Sequence, residues 1–224
     1  MLKNFGFLTF VLIMLSFISC TKEDRKEVKQ TIDSASQKLG HELDTIINTR
    51  LNNDSLFNNA PVESINGSTL KSKEFRSALN DIFDKYEDIK DELSDDDTAG
   101  VRKNADDLKK VLSTTVSYAP QGEMDKNWKL WISTYEKVVA DLSKASGLAA
   151  QRKVFSELTR SMENLVKQFG LDSRTIYKLT CKALQDNSYW LTDTKELDNP
   201  YAGKDNSNGK DEKCVQVINS WKFE

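Results

Sequence analysis

The chain reads as mainly α: an antiparallel four-helix bundle with an additional N-terminal helix and a small C-terminal β-hairpin and loop region. Three observations point there. Four successive apolar stripes recur at three- and four-residue spacing between residues 73 and 169. Each stripe is closed by a turn or breaker, and helices of about twenty residues joined by short loops pack as antiparallel neighbours. After Leu171 the period changes to short, β-branched, alternating runs.

The first expected element is a helix over about 24–51, where Val28, Ile32, Ala35, Leu39, Leu43 and Ile46 share one face. Its polar face is dense. It suits either a stalk or a helix packed on the domain. Residues 52–72 then crowd Asn52, Asn53, Asp54, Asn58, Asn59, Pro61, Asn66, Gly67 and Ser68 into a stretch with little periodicity. Asn, Asp and Ser offer the backbone competing local hydrogen bonds, so a linker is expected there.

From residue 73 onward Phe75, Leu79, Ile82, Phe83, Tyr86, Ile89 and Leu93 form one stripe. Ser94-Asp95-Asp96-Asp97 ends it and offers carboxylates to the start of the next helix, where the partial positive dipole favours them. Val101, Ala105, Leu108, Val111, Leu112 and Thr115 make the second stripe, stopped by Ala119-Pro120-Gln121-Gly122. Trp128, Trp131, Ile132, Tyr135, Val138, Val139 and Leu142 make the third. Beyond Gly147, Val154, Phe155, Leu158, Met162, Leu165 and Phe169 make the fourth, closed by Gly170 where a helix end favours glycine. In the tail, 175–180 and 214–218 read as two strands. Asn199-Pro200-Tyr201, Gly203 and Asn206-Ser207-Asn208-Gly209 read as turns and loop between them.

The extreme N-terminus carries an address. Met1-Leu2-Lys3 is a short basic start, and Phe5 to Phe17 is apolar apart from Gly6, Thr9 and Ser16. Phe17-Ile18-Ser19-Cys20 closes the run before the charged Thr21-Lys22-Glu23-Asp24-Arg25. This is the pattern of a secretory signal, too short for a durable membrane span. With cysteine just after the cut it resembles a bacterial lipoprotein box, with Phe17 where leucine is usual. The resemblance implies cleavage after Ser19 and acylation of Cys20; an ordinary secretory signal with Cys20 incidental is the other reading.

The organisation expected is therefore a signal over 1–19, a lipid anchor and N-terminal helix over 20–51, a linker over 52–72, and the bundle domain over 73–224. The last would end in a disulfide-closed tail. Lys22-Glu23-Asp24 resembles an acidic surface-export tag of some lipoproteins. It leaves an outward-facing location open beside that of an outer-membrane lipoprotein facing the periplasm.

Charge narrows the partners. The chain has 32 Lys and Arg against 35 Asp and Glu, a net charge of -3. Removal of residues 1–19 takes away only Lys3 and leaves -4. Mixed signs with a slight acidic excess leave no electrostatic footprint for nucleic acid and no polybasic patch for anionic lipid. Membrane attachment would rest on acyl chains at Cys20.

With Cys20 spent on lipid, Cys181 and Cys214 remain. An even pair in an exported protein reads first as a disulfide, and two free thiols are the alternative.

Four short segments stand in order within about Tyr86 to Val217: Tyr86-Glu87-Asp88-Ile89-Lys90, Gln151-Arg152-Lys153-Val154-Phe155-Ser156-Glu157-Leu158, Tyr189-Trp190-Leu191 and Asn199-Pro200-Tyr201-Ala202-Gly203. In order and spacing they resemble an uncharacterised periplasmic domain family of bacterial lipoproteins. The same domain is also found appended to membrane-fusion (adaptor) proteins of copper and silver efflux systems. The resemblance implies Gln151, Arg152, Phe155, Trp190, Asn199, Pro200, Tyr201 and Gly203 as family-motif positions and an efflux adaptor as envelope partner.

The resemblance also implies cysteine- and methionine-bearing segments, and here the chain departs. Cys181-Lys182-Ala183 stands where the family reads Cys-Pro-Met, and Asp211-Glu212-Lys213-Cys214-Val215 where it places Met before Cys-Gly. Thiolate and thioether are the ligands a Cu(I) site needs. Both cysteines are present and both methionines are replaced, so Cys181 and Cys214 are the only metal candidates and the disulfide reading gains.

Elsewhere the residues argue against chemistry. His41 is the only histidine, on a polar helix, and reads as a surface residue. Met124 and Met162 fall on helical stripes and read as core filling. Asp95-Asp96-Asp97 lacks the alternation, glycine and glutamate of a calcium loop, so a solvated cap is the better reading. Trp128, Trp131 and Tyr135 are core aromatics by spacing, with an aromatic recognition surface as the alternative.

No serine–histidine–acid order, glycine-rich phosphate loop or cysteine–histidine pair occurs, so no catalysis and no cofactor are expected. Two functions remain. One is a lipid-anchored envelope accessory or binding protein tied to heavy-metal efflux. The other is a structural or protein-interaction lipoprotein with no metal role.

Overall fold

The computed structural model describes residues 31–32, 34–44, 54–65, 72–115, 123–183, 188–202 and 214–223. Cys20, Gly203 and the side chain of Met124 lie outside the described residues. The chain divides into two compact units, Met1–Leu51 and Asn52–Glu224. In the first, 31–32 and 34–44 are helical (α1), within the span expected, with Ile32, Leu39, Leu43 and His41 exposed.

The second unit is mainly helical with a small C-terminal strand region. It opens with a short helix, α2 (54–58), and a strand, β1 (Val62–Ile65). Four long helices follow: α3 (Lys73–Ser94), α4 (Thr98–Thr115), α5 (Glu123–Lys144) and α6 (Leu148–Phe169). Three strands complete it: β2 (Thr175–Cys181), β3 (Tyr189–Thr192) and β4 (Val215–Phe223).

Local chemistry sets the helix ends. The Ser72 hydroxyl accepts from the Phe75 amide and caps α3. Asp97 accepts from the amides of Ala99 and Gly100 at 2.9 Å each, so the acidic run does cap α4. Gly147 and Gly170 bracket α6 at φ 79° and 75°, a region that costs side-chain-bearing residues energy.

The four stripes bury as their spacing requires. Phe75, Leu79, Ile82, Tyr86 and Leu93 of α3, Leu108 and Leu112 of α4, and Phe155, Leu158 and Met162 of α6 are all core residues. At about 1.5–3 kcal/mol for each large apolar side chain, their burial is the main force holding the helices together. Trp128 and Trp131 stack at 5.3 Å, Trp131 and Tyr135 at 4.4 Å, and Phe75 and Phe169 meet Trp128 edge-on. The α5 aromatics therefore belong to the core and not to an exposed recognition surface.

The sheet is larger than the hairpin expected. β2 and β4 pair antiparallel, as the alternating runs suggested, but β3 adds to the other edge of β2 and β1 runs parallel to β4. The order is β1-β4-β2-β3. The stretch 52–72 thus does more than link. Phe57 is buried against Tyr177, their rings 4.6 Å apart, and Glu63 accepts from Asn219 and the Trp221 indole. The physical reason is long-range pairing: β1 is a four-residue edge whose partner lies more than 150 residues further on, at Ser220 to Phe223.

Candidate functional site

The family-motif residues meet at one end of the helices. Position 151–152 lies in the first turn of α6, where carbonyls and amides of neighbouring elements converge. Gln151 Nε2 donates to the Thr98 carbonyl at 3.0 Å. Arg152 Nε donates to the Pro200 carbonyl at 2.7 Å. Its Nη2 reaches the carbonyls of Leu93 (3.0 Å) and Ala202 (2.9 Å) and the Asp96 carboxylate (2.6 Å). One guanidinium thus serves a carbonyl in the last turn of α3, a left-handed aspartate (φ 61°) and two loop carbonyls.

The loop it holds is itself pinned. Asn199 Oδ1 accepts from the Tyr201 amide at 3.0 Å, the Asn199 carbonyl accepts from Ala202, and the Tyr201 hydroxyl donates to the Tyr189 carbonyl at 3.1 Å. Phe155 lies between Tyr86, stacked at 5.2 Å, and Tyr201 at 5.8 Å. Trp190 is 6.5 Å from Tyr201. Tyr86 Oη accepts from the Leu191 amide and shares a hydrogen bond with Thr159.

Seven of the eight motif positions are therefore brought together, and Gly203 lies outside the described residues. The polar contacts named are made to other parts of the chain, while Gln151 Oε1, Trp190 Nε1 and Asn199 Nδ2 are buried without a hydrogen-bond partner among the described residues. The cluster is a clasp that joins α3, α6, β3 and the 199–202 turn. Asp96 and the Leu93 carbonyl are the partners that sequence reasoning missed. An acidic run followed by helix signals a cap but not a distant arginine.

Where β2 ends and β4 is about to begin, Cys181 and Cys214 are bonded, with Cα atoms 4.8 Å apart. Cys181 is buried, and the Lys182 amide donates to the Cys214 carbonyl at 3.2 Å. Lys182 and Ala183 are exposed. Among the described residues no group of three or more His, Cys, Asp or Glu side chains is arranged to hold a metal ion. No described helix is long and apolar enough to cross a membrane.

A third feature had no sequence signal. Glu87 of α3 accepts from the Thr192 hydroxyl at 2.8 Å and the Asp193 amide at 3.1 Å. Arg174 bridges Asp84 at 2.5 Å and Asp193 at 3.1 Å. Burial, and then the adjacent Asp193 charge, raise the Glu87 carboxyl to about 7. Glu87 borders a cleft of about 260 Å3 lined also by Asp84, Asp88, Lys90, Asp91, Thr194 and Glu196.

A carboxyl raised in the folded chain takes up a proton on folding. Stability therefore falls as pH climbs from about 4.5, its unfolded value, to about 7. Urea unfolding at pH 5 and pH 8 should show a loss that Glu87→Gln reduces by about 1–2 kcal/mol. Equal pH dependence in both proteins would show that Glu87 does not carry it.

No curated protein and no solved structure matches the chain. Residues 82–174 match one family; the match begins inside α3 and ends before β2, so it takes in Tyr86, Gln151, Arg152 and Phe155 but neither the sheet nor the 199–202 turn. Residues 82–174 carry a domain of an uncharacterised family, described as "Protein of unknown function (DUF3347)".

Proposed function

We propose that this chain is a lipid-anchored cell-envelope accessory protein that acts by binding, in the setting of copper and silver efflux, without a metal site of its own. The observation that carries the reading is the bond between Cys181 and Cys214, the two positions able to supply soft ligands. A structural disulfide persists in oxidising compartments and uses up both thiolates. The location that follows is the outer membrane, facing the periplasm, with Cys20 as anchor. For α3 to α6 we infer an antiparallel four-helix bundle, supported by contact of each helix with the next and of α6 with α3. An efflux adaptor is the envelope partner of this reading.

The test is at Cys20. Labelling of cells with radioactive palmitate should mark the full-length chain, and Cys20→Ser should abolish the label and leave the chain unprocessed or unanchored. Fatty acid retained on the variant ends the anchor reading. The second reading, a structural or protein-interaction lipoprotein with no metal role, is favoured by the clasp, whose named contacts are all spent within the chain. Genomic neighbourhood separates the two. An adjacent efflux adaptor or copper-responsive regulator supports the first, and its consistent absence the second.

A further inference from the structure

The side-by-side packing of α5 and α6 leaves a groove of about 430 Å3 lined by Asn127, Leu130, Trp131, Thr134, Asn164 and Gln168, among others. Leu130 is 68% exposed, the most of any large apolar side chain among the described residues. Asn127, Asn164 and Gln168 are exposed, and none makes a side-chain hydrogen bond among the described residues. The one ionised lining group, Lys167, is held by Glu163 at 2.7 Å and lies over the Trp221 ring.

We propose that this groove binds an extended, uncharged peptide segment of a partner protein through the partner's backbone. The proposal rests on the reading of the chain as a binding protein. Each primary amide offers one acceptor and two donors, the complement of the N–H and C=O that one residue of an extended chain turns to the same side. Asn164 and Gln168 are four residues apart on α6, about 6 Å along the axis. Alternate residues of an extended chain repeat at about 6.6 Å, so two successive like-facing residues can each meet one amide. Leu130 supplies the apolar contact for a side chain pointing into the groove.

A sugar is a poorer fit. Saccharides stack on an open aromatic face, and Trp131 is only 7% exposed, stacked between Trp128 and Tyr135 with its N–H donated to the Ser161 carbonyl. A polyanion finds only one cation, already engaged by Glu163.

The test uses the full chain in mild detergent and a fluorescent heptapeptide of alternating leucine and serine, blocked at both ends and carrying one photo-reactive leucine. Anisotropy should show saturable binding, with cross-links mapping to α5 and α6. An N-methylated analogue, which keeps the side chains but loses backbone donors, should bind about tenfold more weakly. The surface variant Asn164→Ala/Gln168→Ala should lose a similar factor while its thermal unfolding is unchanged.

Binding that ignores N-methylation, cross-links elsewhere, no saturation at millimolar peptide, or occupation of the groove by an N-acetylglucosamine trimer in place of the peptide would each overturn the proposal. None of these outcomes touches palmitate labelling at Cys20, so failure here and failure of the anchor are distinguishable.

Discussion

Arg152→Ala should destabilise the folded chain by about 2–4 kcal/mol, a large fraction of a domain's net stability. The side chain makes four hydrogen bonds with little exposure, so its loss removes more than one contact. The Asp96 carboxylate is left partly buried without its cation, and the carbonyls of Leu93, Pro200 and Ala202 lose a charged donor. Arg152→Lys keeps the charge but has one compact ammonium in place of a planar fork, and one ammonium cannot reach carbonyls on both the α3 end and the 199–202 turn. It should recover less than half of the loss. Urea unfolding monitored by circular dichroism decides the point, provided the slope with denaturant stays constant. Arg152→Ala within 0.5 kcal/mol of the parent would mean the clasp is decoration.

That clasp shows how unevenly a sequence speaks. The apolar stripes of α3 to α6 were legible because burial on a helix imposes its own short-range period. Tyr86, Phe155 and Trp128 announce a core by spacing alone. The capping run at 94–97 was legible for the same reason, since its hydrogen bonds close within three residues. β1 was not legible, because Val62-Glu63-Ser64-Ile65 has no periodicity to exceed its Asn-rich surroundings and its ladder forms with Ser220 to Phe223. β3 was seen only as a tryptophan-bearing segment, because four residues are too few to show alternation.

The site divides in the same way. Gln151, Arg152, Phe155, Trp190, Asn199, Pro200 and Tyr201 were singled out by resemblance, and the structure supplies the physical reason they belong together. Glu87 and Asp193 were invisible. A carboxylate pair is made by two chain segments over a hundred residues apart, and neither residue is unusual in its own neighbourhood. The amides of Asn127, Asn164 and Gln168 were equally silent, since a polar residue on a helix surface carries no signal until the facing helix is in place.

Removal of the Cys181–Cys214 bond is the second large effect. The sequence separation is 33, and the chain-entropy estimate for a loop of that length is roughly 3–4 kcal/mol. The closed segment contains β3 and the 199–202 turn, so the bond limits how far the clasp's loop can wander in the unfolded chain. Cys181→Ala/Cys214→Ala should therefore lower stability by about that amount, and the loss should add to that of Arg152→Ala less than fully, because both act on the same loop. Thiol labelling of the unfolded, unreduced parent should find no free sulfhydryl apart from any at Cys20.

The same bond governs metal. With both sulfurs engaged and Lys182 next to Cys181 in the chain, the oxidised protein should not compete for Cu(I) with a chelator of known affinity. Coulomb repulsion from the lysine adds a modest, salt-screened penalty. Stoichiometric nanomolar binding by the oxidised protein, lost in the double alanine variant, would make Cys181 and Cys214 ligands after all. Weak binding that tightens only after reduction would mean that the fold holds two thiolates close enough to serve as ligands and keeps them from a metal by joining them.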